Sequence, residues 1–297
     1  MAPFGAAAEE VLMAAPPSFE ELLAPIDDGS FRDDHLGRHA LRLPARRLSA
    51  FEDLDVRAFI AASSHVDVIR SGIASAKGDA ALPDGCSIRI RRLQVLDGTV
   101  EKFARGLAAA LREEVNVNAY LSPDAETPGL AAHTDPYDLF VVQLRGSKHW
   151  ELLGDPDGRL EDTALVTQGA VTTGTRGELD LGPGEVLYLP RGLRHRARNL
   201  GPGPSLHLTV SILVKTTRSG IAWLATELER RLAPHRPLPL GASHDDYDAA
   251  LAELEAAAMA ILGDPERVAA FLAHRDVVEY EGIARPPDDE GAERPRR

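Results

Sequence analysis

Cysteine, long apolar runs and secretion signals are scarce or missing in this sequence, and each absence excludes a class of protein. The single cysteine, Cys86, excludes an internal disulfide and offers no thiolate metal site. No stretch approaches the roughly 20 apolar residues of a membrane span. The first residues carry Glu9 and Glu10 where a signal peptide would be basic. We therefore expect a soluble protein in a reducing, cytoplasmic compartment.

Positive charge is also in short supply. Acidic residues number 46 and basic residues 33, which gives a formal net charge of −13. Such a surface repels phosphate backbones, which argues against direct nucleic-acid binding, and it attracts a basic peptide or protein. With 297 residues and 44% apolar composition, the chain is predicted to form one large domain and a smaller appendage.

Short strands dominate the centre of the chain, from about 87 to 215. Their connections are rich in turn residues, and residues 154–178 are predicted to be a long loop because they are full of Gly, Asp and Thr. This pattern predicts a barrel or sandwich. In the strand VNVNAYL, Asn116, Asn118 and Tyr120 share one side. That side either lines a cavity or forms an outward solvated face.

Helices are predicted before, within and after this central region. Ser18 and Glu21 match a capping box, residues 50–73 have apolar residues at helical intervals, and 99–114 is an amphipathic helix with Thr99 as its cap. From Thr217 onward the period is again helical. The predicted helices there include one beginning near His244 and one opened by Asp264 and Pro265.

A His-x-Asp pair is a candidate metal-binding motif, because residues i and i+2 of an extended segment point to the same side. On a helix the same spacing makes the two side chains diverge. Only His133 and Asp135 come out of a loop and lead into a buried strand, DLFVVQL, whereas the other three pairs fall on predicted helices or helix starts. Those three pairs are His65/Asp67, His244/Asp246 and His274/Asp276.

Strand parity also separates the residues that follow. Lys148, Trp150 and Leu152 are predicted to face inward, which leaves His149 and Glu151 facing solvent. From the residues alone, His133 and Asp135 are either two ligands of one ion or a capped loop that enters a strand.

Five blocks of the sequence are similar, in order and spacing, to the JmjC/cupin-like oxygenases of the ribosomal oxygenase group. These proteins are Fe(II)- and 2-oxoglutarate-dependent protein hydroxylases. The resemblance covers roughly residues 18–235, and FRDDHLGRHALRLP near the N-terminus resembles the first segment of the family. The blocks are NAYLSP (118–123), HTD (133–135), DLFVVQLRGSKHWELL (138–153), LGPGEVLYLPRGLRH (181–195) and SLHLTVSI (205–212).

This resemblance implies a mainly β fold, the double-stranded β-helix of cupins, with a C-terminal helical module. It implies that Fe(II) is held by His133, Asp135 and His195 and that the chain uses 2-oxoglutarate and O2. In the family, a basic residue at the position of Lys148 pairs with the distal carboxylate of 2-oxoglutarate. A buried lysine suits that task because it presents a positive charge to an acceptor-only carboxylate.

Three further residues are candidates for hydrogen bonds to the cosubstrate, because their faces should line the same cavity: Tyr120, Asn118 and Thr209. His207 shares the parity of Thr209 and is interpreted as a core residue or a neighbour of the ligands, not as a ligand.

The predicted organisation is a flexible N-terminus (1–17), a catalytic domain (18–215), a helical module (216–284) that could form a homodimer, and a disordered tail (285–297). We expect the chain to lack the winged-helix domain that family members acting on ribosomal proteins usually carry. Its substrate is therefore expected to be either a ribosomal protein or the precursor peptide of a natural product. The alternative is a cupin-fold binding module that lost turnover.

Overall fold

The computed structural model describes residues 15–46, 48–62, 65–76, 85–154, 165–167, 170–172, 176–232 and 243–273. The chain forms two compact units, which are divided between Ile212 and Leu213. The first unit contains the strands, and the second contains the last three helices. Among the described residues, no helix is long and apolar enough to cross a membrane.

Thirteen strands are present in the described residues, and they form two sheets. The larger sheet has the strand order β3-β2-β4-β5-β13-β6-β11-β1-β8-β9, and the smaller has the order β10-β7-β12. The strands are β1 (Ala40–Leu43), β2 (Val66–Arg70), β3 (Ile73–Ala76), β4 (Ser87–Ile90), β5 (Glu114–Ser122), β6 (Asp138–Arg145), β7 (Lys148–Gly154), β8 (Leu165–Thr167), β9 (Ala170–Thr172), β10 (Arg176–Leu181), β11 (Val186–Leu189), β12 (Arg194–Asn199) and β13 (Ser205–Leu213).

The two sheets share one apolar core. Strands β7 and β10 of the smaller sheet largely alternate apolar and polar residues, so each contributes one apolar face to the cluster. Strands β6 and β11 of the larger sheet are buried at nearly every position and also contribute apolar side chains to it. The core members are Ala40, Leu139, Val141, Trp150, Leu152, Leu179, Leu181, Leu187, Leu189 and Leu193. This arrangement is the double-stranded β-helix predicted from the sequence.

The helices of the first unit all precede β5 in the sequence. Helix α1 begins with the predicted capping box, in which Ser18 Oγ accepts from Glu21 N at 3.2 Å and the Glu21 carboxylate accepts from Ser18 N at 2.7 Å. The helices are α1 (Phe19–Leu23), α2 (Asp28–Ser30), α3 (Arg57–Ala62) and α4 (Gly98–Leu111), with a π-helical turn at Phe31–His35 and 3₁₀ turns at Ser49–Phe51 and Leu93–Val95.

The cap of α4 differs from the prediction. Asp97, not Thr99, is the N-cap, because its carboxylate accepts from the backbone N–H groups of Thr99 and Val100, both at 2.9 Å. A carboxylate at this position satisfies two free donors at once and also opposes the helix dipole, which a threonine hydroxyl does not do.

The prediction that residues 50–73 are helical was wrong from Val66 onward. Residues Val66–Ala76 form the β2–β3 hairpin, whose two turn residues, Ser71 and Gly72, both have positive φ as a tight hairpin requires. A non-local partner decides the outcome, because Asp67 is buried on β2 in an ion pair with Arg89 of the neighbouring β4, at 2.6 Å.

Residues 154–178, predicted to be a loop, contain the short strands β8 and β9 and the start of β10 in their described part. Strand β8 pairs in parallel with β1, about 120 residues earlier in the chain. The apolar residues Leu165 and Val166 can form a strand there because β1 offers an unpaired edge, which the local composition does not reveal.

The second unit consists of α5 (Thr217–Arg231), α6 (His244–Leu262) and α7 (Pro265–Ala273), as the helical periodicity predicted. Asp264 caps α7, since its carboxylate accepts from Glu266 N at 3.0 Å. Glu227 of α5 forms an ion pair with Arg267 of α7 at 2.5 Å. His274, Asp276 and the predicted tail lie outside the described residues.

Candidate metal centre

Backbone hydrogen bonds bring the two segments of the site together. His133 N donates to His195 O at 3.1 Å, and His195 N donates to His133 O at 2.9 Å, so the two histidines form an isolated antiparallel bridge. A further hydrogen bond, from Gly192 N to Asp135 O at 2.8 Å, ties the turn before β12 to the His133–Asp135 loop. Residues 62 positions apart are thereby held in register.

The side chains of His133, Asp135 and His195 converge on one point. Asp135 Oδ2 lies 3.4 Å from His195 Nε2 and 3.7 Å from His133 Nε2, and the ligand atoms of all three residues lie within 4.8 Å of one another. No other group of three histidine, cysteine or acidic side chains with this spacing occurs among the described residues.

Both histidines are oriented to leave Nε2 free as a ligand atom. His133 Nδ1 lies 2.8 Å from Ala131 O, and His195 Nδ1 lies 2.9 Å from Leu193 O. A carbonyl accepts but cannot donate, so each Nδ1 carries the proton and each Nε2 presents its lone pair toward Asp135. Burial, and secondarily His133, lowers the pKa of His195, which keeps that imidazole neutral. Two neutral imidazoles and one carboxylate fit a divalent iron.

The other His-x-Asp pairs do not form such a centre in the described part of the chain. The prediction that His65 and Asp67 lie on a helix was wrong, because Asp67 lies on β2, and the pair is excluded for a different reason. The Asp67 carboxylate is occupied by Arg89 at 2.6 Å and Arg91 at 3.2 Å. His244 begins α6, as predicted.

Lys148 faces the interior, as strand parity predicted, and only 3% of it is exposed. Its Nζ donates to Ser122 Oγ at 3.0 Å, and no described carboxylate forms an ion pair with it. Burial lowers the pKa of Lys148 to about 8. Among the described residues, this buried ammonium therefore has no carboxylate counter-ion.

His149 and Glu151 lie on the opposite face of β7, as predicted, although they are half-buried there. His149 Nδ1 pairs with Asp180 at 2.7 Å, and Glu151 pairs with Arg196 at 2.6 Å. These contacts account for both side chains without a metal ion.

The remaining candidates lie in different places. Tyr120 stacks face to face on His207, with ring centroids 4.9 Å apart and an interplanar angle of 2°. Thr209 is buried on β13, opposite Val141 of β6. Asn118 Oδ1 accepts from Arg92 N at 2.9 Å, so this side chain is used to hold the turn after β4. His207 is not part of the His133–Asp135–His195 group.

Sequence reasoning missed several residues around the site. The Tyr137 hydroxyl donates to Asp135, and burial raises the pKa of Tyr137. The rule that pairs His133 with Asp135 would have placed Tyr137 on the same side, and the parity of Tyr120 would have identified Ser122. Arg89, which hydrogen-bonds Tyr120, could not be found this way because it is contributed by a neighbouring strand.

Gly129 allows the loop before His133 to pass close to β12. A Cβ at this position would lie 2.4 Å from Ala197 O, and a backbone atom cannot move aside cheaply. We expect Gly129→Ala to destabilise the fold by about 1–3 kcal/mol and to weaken metal binding by displacing the loop. The measurement is urea unfolding combined with Co(II) titration.

The matched control is Gly106→Ala in the middle of α4, where a Cβ would meet nothing within 4 Å. That change should stabilise the protein, by about 0.5–1 kcal/mol, because alanine is the better helix former. Equal stability of Gly129→Ala and wild type would contradict the proposed close approach.

A double-stranded β-helix with two histidines and an aspartate at its centre is the arrangement that the sequence resemblance to JmjC/cupin-like proteins implied. The model of the JmjC domain matches residues 98–219. This segment is thus similar to a JmjC domain, and about half of the chain is similar to individual proteins named as ribosomal oxygenases or histidyl-hydroxylases.

Human ribosomal oxygenase 1 is 33% identical over 178 residues, which are 54% of this chain and 28% of that protein. The Dictyostelium discoideum protein named bifunctional lysine-specific demethylase and histidyl-hydroxylase NO66 is 34% identical over 138 residues, which are 45% of this chain and 26% of that protein. The chain spans about a quarter of the length of these curated relatives.

Solved structures of the Escherichia coli ribosomal oxygenase YcfD share the fold. One aligns with a TM-score of 0.56 at 19% identity and covers 83% of this chain and 69% of that one. Another, in complex with cobalt and 2-oxoglutarate, aligns with a TM-score of 0.53 at 18% identity and covers 84% and 72%. At these identities the likeness shows the double-stranded β-helix, which confirms the predicted fold class.

Proposed function

We propose that the chain is an Fe(II)- and 2-oxoglutarate-dependent oxygenase that hydroxylates a side chain of a protein or peptide. The observation that carries the proposal is the convergence of His133 Nε2, His195 Nε2 and Asp135 Oδ2. It is supported by the buried ammonium of Lys148, which no described carboxylate pairs with. The JmjC match and the relatives named as oxygenases and hydroxylases support it.

His133, Asp135 and His195 would hold Fe(II). When bound with 2-oxoglutarate and O2, the iron supplies the oxidising chemistry that converts a C–H bond to C–OH, with succinate and CO2 as co-products. The chain's own contribution is orientation. The carbonyls of Ala131 and Leu193 keep each Nε2 unprotonated, and the Tyr137 hydroxyl holds one side of the Asp135 carboxylate.

Lys148 would receive the distal carboxylate of 2-oxoglutarate. Ser122 already fixes the Nζ position with a hydrogen bond at 3.0 Å, so little ordering is needed when the cosubstrate binds. Lys148 is almost completely shielded from water, and a charge-assisted hydrogen bond is stronger in such surroundings than in solvent. Tyr120 and Thr209 remain candidates for further contacts, whereas the engaged side chain of Asn118 makes it the weakest of the three.

The substrate class follows from the relatives and the charge. The matched relatives are named as ribosomal oxygenases and as histidyl-hydroxylases, so a ribosomal protein is the first candidate. The precursor peptide of a natural product is the second. A net charge of −13 favours a basic segment in either. A homodimer through the helical module and a cytoplasmic location stay predictions from the sequence.

The test is succinate formation from 2-oxoglutarate with Fe(II) and O2, in the presence of ribosomal proteins or a panel of basic peptides. We expect the wild type to form succinate and to add the mass of one oxygen atom to a single substrate residue. His133→Ala, which removes one ligand, provides the background. Folded, iron-loaded wild type that forms no more succinate than His133→Ala would favour a non-catalytic cupin-fold binding module.

A further inference from the structure

Asp138, the first residue of β6, is a fully buried carboxylate three positions after Asp135. It accepts three hydrogen bonds. Tyr188 Oη donates to Oδ1 at 2.7 Å, the Arg191 backbone N donates to Oδ1 at 3.2 Å, and Arg191 Nη1 donates to Oδ2 at 2.6 Å. The carboxylate thus binds both the main chain and the side chain of one arginine.

Arg191 belongs to the turn that leads into His195. Leu193 N donates to Pro190 O at 3.2 Å and closes this turn. Gly192, which directly follows Arg191, donates its backbone N–H to Asp135 O. Leu193 O accepts from His195 Nδ1. The position of Arg191 therefore determines where the carbonyl that orients His195 lies, and also where the backbone of Asp135 is held.

The guanidinium of Arg191 is confined from the other side as well. Gly37 has a φ of +70°, and a Cβ there would lie 3.2 Å from Arg191 Nη2. Gly37 N also donates to Tyr188 Oη at 2.7 Å. The segment before β1 thus closes over the Asp138–Arg191 ion pair, so the pair has little freedom to rearrange.

We propose that Asp138 and Arg191 are positioning residues that set the separation of the ligand atoms of Asp135 and His195 and thereby the affinity for the metal. The inference rests on the proposed function. Neither residue is among the three converging ligands, and each acts through the main chain of the segment that carries a ligand. Groups that orient metal ligands in this way typically contribute about 10- to 100-fold to metal affinity.

The test is Asp138→Asn. The substitution keeps an oxygen for Tyr188 and for the Arg191 N–H, and it removes the charge that holds the guanidinium. We expect the dissociation constant for Co(II) to rise by about 10- to 100-fold and the visible absorption of bound Co(II) to change. The KM for 2-oxoglutarate at saturating metal should stay at the wild-type value, because Lys148 is untouched.

The matched control is Glu185→Gln. Glu185 forms an ion pair with Arg42 at 2.7 Å between β1 and the start of β11, so the same chemical change is made in the same sheet without a link to the ligand segments. Arg191→Lys keeps the charge but loses the planar guanidinium. Its dissociation constant for Co(II) should lie between those of the wild type and Asp138→Asn.

The outcomes separate the two proposals. If the wild-type protein binds neither Co(II) nor Fe(II), the proposed function itself is contradicted. Wild type that binds normally, with Asp138→Asn binding equally well or Glu185→Gln losing as much, would overturn the positioning role alone. If Asp138→Asn does not fold, the Co(II) dissociation constant of Arg191→Lys decides in the same way, since that variant keeps a positive charge opposite the buried Asp138 carboxylate.

Discussion

Replacing Asp135 by alanine is expected to reduce succinate formation to the level of iron-free protein. The Asp135 carboxylate lies 3.4 Å and 3.7 Å from the two Nε2 atoms and contributes the only negative charge of the ligand group. Its removal leaves two neutral imidazoles, which cannot balance a divalent cation in a partly buried site. The Tyr137 hydroxyl would also lose its acceptor. Co(II) titration and the succinate assay measure both consequences.

Asp180→Ala is the control for this prediction. Asp180 also pairs with a histidine, His149, at 2.7 Å, but its side chain is 65% exposed and lies on the outer face of the smaller sheet. It should bind metal and turn over like the wild type. Turnover by Asp135→Ala at more than background, with normal metal content, would exclude Asp135 as a ligand.

Lys148→Met is expected to raise the stability of the protein and to lower its affinity for 2-oxoglutarate. Methionine fills a similar volume without the uncompensated charge, so the cosubstrate-free protein should become more stable. Binding of 2-oxoglutarate should weaken, because the removal of one partner of a buried ion pair costs about 3–5 kcal/mol. That corresponds to more than about 100-fold in affinity. Thermal unfolding and the KM for 2-oxoglutarate measure the two effects. A KM equal to that of the wild type would refute the assigned role.

The same lysine predicts a pH dependence. Burial lowers the pKa of Lys148 from 10.5 to about 8. Below about pH 8 the ammonium is charged and can bind the cosubstrate carboxylate, and as the pH rises through 8 it loses its proton and the KM for 2-oxoglutarate should increase. The unfolded lysine keeps its proton up to its ordinary pKa of 10.5, so the stability of the cosubstrate-free protein should rise with pH from about 8 to 10.5. Lys148→Met should show neither change.

Several features could be predicted because they depend on residues close together in the sequence. The capping box of Ser18 and Glu21 spans one helical turn, and the inward direction of Lys148 follows from the two-residue period of a strand. The candidate pair His133 and Asp135 follows from the same period. The resemblance of the five sequence blocks to JmjC proteins added the fold and His195.

Other features were decided by partners from distant positions. Residues 66–76 form a hairpin because Asp67 pairs with Arg89 of the neighbouring strand. The Asn118 side chain accepts a hydrogen bond from the backbone of Arg92. The Asp138–Arg191 ion pair is of the same kind.

By itself, the sequence determined the period of each strand and helix and the chemical types available for a site, because these depend on neighbours within one turn or one pleat. Only the tertiary structure decided that His133 and His195 form a backbone bridge, that Lys148 has no described counter-ion, and that Asp138 binds Arg191 in the turn before His195. The physical reason is that hydrogen bonds and charge pairing depend on distance in space, and the chain must close long loops before such partners meet.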